Sequence, residues 1–322
     1  MSLVEVDHLE RRFGAIRAVD DVSFGIEAGE IYGFIGPNGA GKSTTMRILA
    51  TLDLPSAGDC RVNGRSTVDD ADAVRRMIGY MPDYYGAYPH MTVFEYLDFF
   101  ARAHGLAPAA RRRAVAEVME FCQLEGLREK AVTGLSKGMK QRLCLGRCII
   151  HDPQVLILDE PAAGLDPRAR IEFRDLLRVL AQQGRAVFVS SHILAELETL
   201  CDGVAIIEQG RIVAEGKVKQ IKQQLREKKQ QQVAAGDGDG HVLELRLAEE
   251  HPRAEAILAE QPGCSEIRID QTQIALRYHG GDAELAALLR RLLAAELAVC
   301  HFATRDDNLE DVFMHLTEGK VQ

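Results

Sequence analysis

The sequence predicts an α/β fold: a domain with a mostly parallel core sheet over residues 1–216, a polar linker at 217–240, and a small α+β domain over 241–322. Three observations predict it. The runs "IYGFIG", "VLILDE" and "AVFVSSH" are short, β-rich and bounded by turn residues, as strands buried on both faces of a parallel sheet are. A glycine-rich turn separates the first of them from the helical pattern "KSTTMRILA". After Gly216 the composition shifts to Lys and Gln and ends in "GDGDG", which fits a polar helix running into a flexible joint before a second set of patterns begins.

Within the first domain, "VAIIEQGRIVAEG" reads as a hairpin turning at Gln209-Gly210. A helical insertion occupies about 91–150; its part from Met91 to Lys130 carries "VFEYLDFFARAHGL" and "RRRAVAEVMEFCQL", separated by Pro108. In the second domain "HVLELRLA" alternates Leu243, Leu245 and Leu247 like a half-buried strand. "PRAEAILAEQPG" is helical, "SEIRID" and "QIALRY" flank a short turn, and "DAELAALLRRLLAAEL" is an amphipathic helix. "AVCHFAT" is a last strand, and "NLEDVFMHLTEG" a last helix capped by Asn308. The order β-α-β-β-α-β matches a ferredoxin-like arrangement.

Bulk composition narrows the class only by exclusion. The net charge of −9 over 322 residues opposes a dedicated nucleic-acid surface. The basic stretches "ARRRA" and "KVKQIKQQLREKK" are local and read as solvated helix faces. No apolar run approaches the ~18 residues that cross a bilayer. "MSLVEVDHLERRFG" has no signal-peptide apolar region, so the chain is expected to stay where it is made. Seven cysteines without a CxxC point to reduced thiols; Cys144 and Cys148, one helical turn apart, read as small apolar residues rather than a metal pair.

The chemistry begins at Gly36. Gly36 to Ser43 satisfies G-x-x-x-x-G-K-[ST], after a strand and before a helix. Gly36, Gly39 and Gly41 let successive N–H groups turn inward, with Pro37, Asn38 and Ala40 completing the loop. These amides and the positive end of the helix form an anion nest for a β-phosphate. Lys42 reaches the β- and γ-oxygens, Ser43 offers a hydroxyl to Mg²⁺, and Thr44 a further hydroxyl toward the phosphates. An incidental glycine turn is the plain alternative, and the flanking strand and helix argue against it. The stretch is built to hold a nucleoside triphosphate.

Hydrolysis needs a metal ligand and a base, and "VLILDEP" carries both at a strand end. Asp159 is placed to hold Mg²⁺, directly or through water, and Glu160 to orient and deprotonate the attacking water. A carboxylate at a strand end is often only that; the phosphate loop upstream favours the functional reading. His192 follows a third core strand, whose end should approach the same edge, where it could donate to the γ-phosphate.

With these motifs the chain resembles the ATP-binding cassette (ABC) ATPases. The telling element is "LSKGMKQRLCLGRCII" from Leu135, between the phosphate loop and "LILDEP", which looks like the signature motif LSGGQ. The resemblance implies the cassette fold, including an antiparallel β subdomain, and a head-to-tail dimer with two sandwiched ATP molecules. Ser136 and the amide of Gly138 would then serve the ATP of the opposite subunit. Asp166 in "AGLDP" would lie near the dimer junction, and Phe13 in "RRFG" would stack on adenine. The tail "NLEDVFMHLTEG" looks like that of drug- and antibiotic-resistance exporter ATPases. This implies a separate integral membrane permease docking on the helical insertion, and a cytoplasmic chain peripheral to the membrane. A soluble regulatory or nucleic-acid-associated ABC ATPase is the alternative; such proteins usually carry two cassettes or a long coiled-coil insertion, and neither is in this sequence. Two positions depart from the family. Lys137 and Met139 replace a glycine and a glutamine, and Asp83 in "IGYMPD" stands where glutamine is usual. Asp83 is read either as a third oxygen for Mg²⁺ or as a plain surface acid.

Overall fold

A computed structural model describes residues 2–83, 90–221 and 241–304. The chain divides into two compact units; Met1–Val218 makes the bulk of one, and the other lies within Lys219–Val312.

The first unit carries two sheets. Strands β1 (Ser2–Phe13), β2 (Ile16–Glu27), β4 (Ala57–Val62) and β5 (Arg65–Ser66) form an antiparallel sheet in the order β2-β1-β4-β5. Strands β3 (Ile31–Ile35), β6 (Ile78–Met81), β7 (Val155–Leu158), β8 (Ala186–Ser191), β9 (Gly203–Glu208) and β10 (Arg211–Lys217) form the other, in the order β10-β9-β3-β8-β7-β6. Every pairing there is parallel except the β9–β10 hairpin. That hairpin turns at Gln209-Gly210, both at positive φ (49° and 80°), the backbone a tight primed turn demands. Each residue of β3, β7, β8 and β9 is buried, which is why these runs are apolar without alternation.

One buried cluster joins the two sheets. It contains Val4, Val6 and Ile26 of the antiparallel sheet, Phe34 and Phe188 of the parallel one, and Met46, Ile48 and Leu49 of helix α1 (Lys42–Leu49). Phe24, Phe34 and Phe188 pack with ring centroids 5.3–5.6 Å apart, within the range of favourable aromatic pairs. Helix α2 (Ala71–Met77) leads into β6.

The helical insertion comprises α3 (Val93–Ala103), α4 (Pro108–Phe121) and α5 (Lys137–Ile149). Thr92 and Glu95 close a reciprocal capping box at α3. Pro108 does more than separate two helices, since it is the first residue of α4, where its fixed φ and missing N–H suit the helix. Helices α6 (Pro167–Gln182) and α7 (Leu194–Leu200) follow β7 and β8. Strand β10 continues to Lys217, and Val218, the next residue, is buried.

The second unit has β11 (His241–Leu247), α8 (Ala254–Ala259), β12 (Cys264–Asp270), β13 (Gln273–Tyr278), α9 (Asp282–Ala294) and β14 (Val299–Thr304). Its sheet is antiparallel in the order β12-β13-β11-β14, the ferredoxin-like β-α-β-β-α-β arrangement. Leu243, Leu245 and Leu247 face the core with Ile274, Leu276, Leu258 and Leu288, as the alternation in β11 requires. Residues 222–240 of the linker expected at 217–240, and the tail helix expected with Asn308, lie outside the described residues.

Candidate functional site

The parallel register brings several strand ends to one edge. Ile35 of β3 pairs with Ser191 of β8, Val189 of β8 with Leu158 of β7, and Leu158 with Met81 of β6. The glycine-rich loop, Asp159-Glu160, Ser191-His192 and Pro82-Asp83 therefore all emerge where open parallel sheets bind ligands.

Gly36 to Gly41 wrap tightly between β3 and α1. A Cβ on Gly36 would collide with the carbonyl oxygen of Ile207. Gly41, at φ 107°, is the N-cap of α1, and a Cβ there would strike the carbonyl of Ala18. Lys42 is 6% exposed and donates from Nζ to the carbonyls of Gly36 (2.7 Å) and Pro37 (3.2 Å). Burial pulls its ammonium below the usual lysine range, opposed by the carboxylates of Glu160 and Asp159. Ser43 is exposed and Thr44 half-buried, whereas Thr45 is buried and donates to the Gly41 carbonyl at 3.0 Å.

Asp159, Glu160 and His192 converge with Lys42. Glu160 Oε1 lies 3.7 Å from Lys42 Nζ, and its Oε2 lies 2.8 Å from His192 Nδ1. Glu160 holds φ at 49°, a strained conformation for a non-glycine residue at a functional site. Its amide donates to Ser190 Oγ at 2.9 Å, and that hydroxyl donates to Asp159 Oδ1 at 2.6 Å. Ser190, fully buried on β8, thus fixes both carboxylate residues at once. Sequence reasoning missed it; a hydroxyl in the otherwise apolar run "AVFVSS" was the available signal. Asp159, 3% exposed, keeps Oδ2 outside that bond. A carboxylate and a serine hydroxyl supply the hard oxygen donors Mg²⁺ prefers, so the donor set fits the ion.

The remaining predicted residues sit elsewhere. Ser136 is the N-cap of α5, accepting from the Met139 amide at 3.3 Å. With Gly138, Lys137 and Asp166 it lines a cavity of about 310 Å³ that includes no residue of the phosphate loop. A Cβ on Gly138 would sit 3.3 Å from the Ala169 Cβ, a tight contact that would press on α6. Lys137 is exposed, and its side chain lies over Gly164. Asp166 caps α6, accepting from the Ala169 amide at 2.9 Å. Phe13, 46% exposed, ends β1 with the Arg11 guanidinium 4.5 Å from its ring centre. Asp83 is exposed two residues beyond β6, beside the segment 84–89 that lies outside the described residues.

The ABC transporter family matches residues 19–163. The Nod factor export ATP-binding protein I of Paraburkholderia xenovorans is 33% identical over 99% of this chain and 98% of its own length. The daunorubicin/doxorubicin resistance ATP-binding protein DrrA of Streptomyces peucetius is 34% identical over 98% of this chain and 92% of its own. Among solved structures, an ATP-binding subunit of an ABC transporter is 33% identical, covers 70% of this chain and 94% of its own, and superposes with a TM-score of 0.64. A dimeric ATP-binding cassette in a post-hydrolysis state, bound to ADP and Pi, is 25% identical, covers 67% and 98%, and has a TM-score of 0.60.

Proposed function

This chain belongs to the ABC transporter family of ATP-binding proteins, and we propose that it is the ATP-hydrolysing subunit of an exporter, working as a head-to-tail pair on a separate membrane permease. The observation that carries the hydrolytic reading is the convergence of Lys42, Asp159, Glu160 and His192 at one sheet edge. Its export role is supported by similarity to two proteins named for export and drug resistance along nearly the whole chain, second unit included.

The side chains divide the work. The amides of the loop and Lys42 hold the β- and γ-phosphates, Lys42 exchanging its carbonyl partners for phosphate oxygens. Ser43 and Asp159 would hold Mg²⁺, with Asp83 as a third oxygen; the ion supplies charge neutralisation on the phosphates. Glu160 accepts a proton from the attacking water through Oε1, while the His192 contact at Oε2 fixes the carboxylate's orientation. His192 senses the γ-phosphate. Phe13 offers its exposed face to adenine. Ser136 and the Gly138 amide, at the start of α5, take the γ-phosphate of the partner's nucleotide, and Asp166 adjoins the junction. Binding then favours the closed pair and hydrolysis releases it. The helical insertion passes this motion to the permease. Among the described residues no helix is long and apolar enough to cross a membrane, so the spans would belong to that partner.

Pull-down of the chain from detergent-solubilised membranes tests the partner. Recovery of a multi-span protein supports the exporter; recovery with ribosomes or DNA alone supports a soluble, nucleic-acid-associated ATPase.

A further inference from the structure

We propose that Arg170 and Glu196 form a positioning pair that holds the turn carrying His192 in register with the loop before α6. The proposal rests on the hydrolytic role given above to Glu160 and His192.

Arg170 lies in the first turn of α6, and its Nη2 donates to the carbonyl of Leu165 at 3.2 Å, in the loop leading to Asp166. Its Nε lies 3.0 Å from Glu196 Oε1. Glu196 is in the first turn of α7, and its other oxygen accepts from Ser191 Oγ at 3.5 Å. Ser191 Oγ in turn accepts the Ile193 amide at 3.0 Å, so this hydroxyl closes the turn whose middle residue is His192. One continuous path therefore runs from the Leu165 carbonyl through Arg170, Glu196 and Ser191 to the backbone on either side of His192.

The environment explains why the pair acts as a unit. Glu196 is 10% exposed and Arg170 36%, and Phe173, Leu177 and Leu197 bound the same apolar cavity, so the carboxylate end of the pair is the more weakly screened. Burial pushes the Glu196 carboxyl above the usual range, Arg170 opposes it most strongly, and the Glu160 carboxylate adds a smaller upward push. Without the guanidinium, Glu196 takes a proton or swings toward solvent, and the Ser191 hydroxyl, which reaches Glu196 Oε2 and the Ile193 carbonyl at the same 3.5 Å, is left with the carbonyl. The turn then holds His192 less firmly, and its 2.8 Å contact with Glu160 Oε2 is left to set the ring alone. Neither Arg170 nor Glu196 touches the phosphate loop, so the pair bears on the geometry of the base and not on nucleotide capture.

The test uses the full chain with three variants: Arg170→Ala, the isosteric Glu196→Gln and the double variant. Each single variant is expected to lower kcat about tenfold or more with KM for ATP within about threefold of wild type. The double variant is expected to be no slower than the worse single one, since both remove one coupled unit. Independently of turnover, two-bond ¹H–¹⁵N spectra of the imidazoles report the tautomer of His192 in nucleotide-free protein. The wild-type spectrum is expected to show the Nδ1–H form, and either single variant to redistribute it. Multiplicative losses in the double variant, or wild-type His192 signals together with kcat within about twofold, would overturn the proposal. If the wild type itself released no phosphate, the hydrolytic reading would fail, while the ring spectra would still decide whether the pair sets His192.

Discussion

Ser190→Ala is the perturbation that most sharply tests how the site is assembled. One hydroxyl, wholly buried, donates to Asp159 Oδ1 at 2.6 Å and accepts the Glu160 amide at 2.9 Å. Removing it takes a hydrogen bond of about 1.5–3 kcal/mol from a carboxylate that is itself buried. It also orphans the Glu160 N–H, at a further cost of about 1–3 kcal/mol, part of which a water entering the vacated space recovers. A net loss of roughly 2–4 kcal/mol in urea unfolding is expected. The chemistry should suffer as well, because the strained φ of Glu160 is held by that bond. A displacement near 1 Å at a base lowers kcat by up to ~100-fold, so a 10- to 100-fold fall is expected with about unchanged ATP affinity. Phosphate release under single-turnover conditions, beside a binding titration, reads both. A variant within about 0.5 kcal/mol of wild type and within twofold in kcat would show that Ser190 positions neither carboxylate.

Three further outcomes follow from the geometry. Gly36→Ala drives a Cβ into the Ile207 carbonyl, so calorimetry should find nucleotide binding lost and unfolding should show a destabilisation of about 1–3 kcal/mol; ordinary binding would remove the tight-loop account. His151 donates through Nε2 to the Ile78 carbonyl, leaves Nδ1 buried without a partner, and stacks on His104 with ring centres 3.7 Å apart. Burial, with His104 second, lowers its pKa to about 4, against the Ile78 bond and Asp152. The unfolded chain binds the extra proton first, so this site's stability is complete above about pH 6.5 and is lost as pH falls toward 4, by at most about 3 kcal/mol. Urea melts across that window should show the slope, and His151→Gln should flatten it. Asp83→Gln removes a charge from the loop after β6; the Mg²⁺ titration of turnover should move, and an unchanged titration would leave Asp83 a surface acid.

The parallel strands, the phosphate loop and the β-α-β-β-α-β pattern were legible because each is a local signal: contiguous apolar runs, a fixed motif, and the alternation of Leu243, Leu245 and Leu247. The first antiparallel strands were harder to read from their residues. In β1 the buried positions Val4 and Val6 are followed by Leu9, because the register shifts around His8, at φ 45°, and this breaks the two-residue period. Ser190 escaped notice because a serine in a strand has many uses, and only the fold shows Asp159 and Glu160 across from it. Arg170 and Glu196 are two charged residues on separate helices, and nothing in their spacing predicts that they meet. Side chains that do chemistry carried motif signals, whereas those that hold them in place depend on long-range packing.

Sedimentation of Glu160→Gln with and without ATP tests the central claim, that two chains close on nucleotide between Lys42 of one and Ser136 of the other. The account predicts a monomer without ATP and a stable dimer with it, and a monomer that still binds ATP once Ser136→Arg is added. A dimer that forms without nucleotide, or one that survives Ser136→Arg, would contradict it.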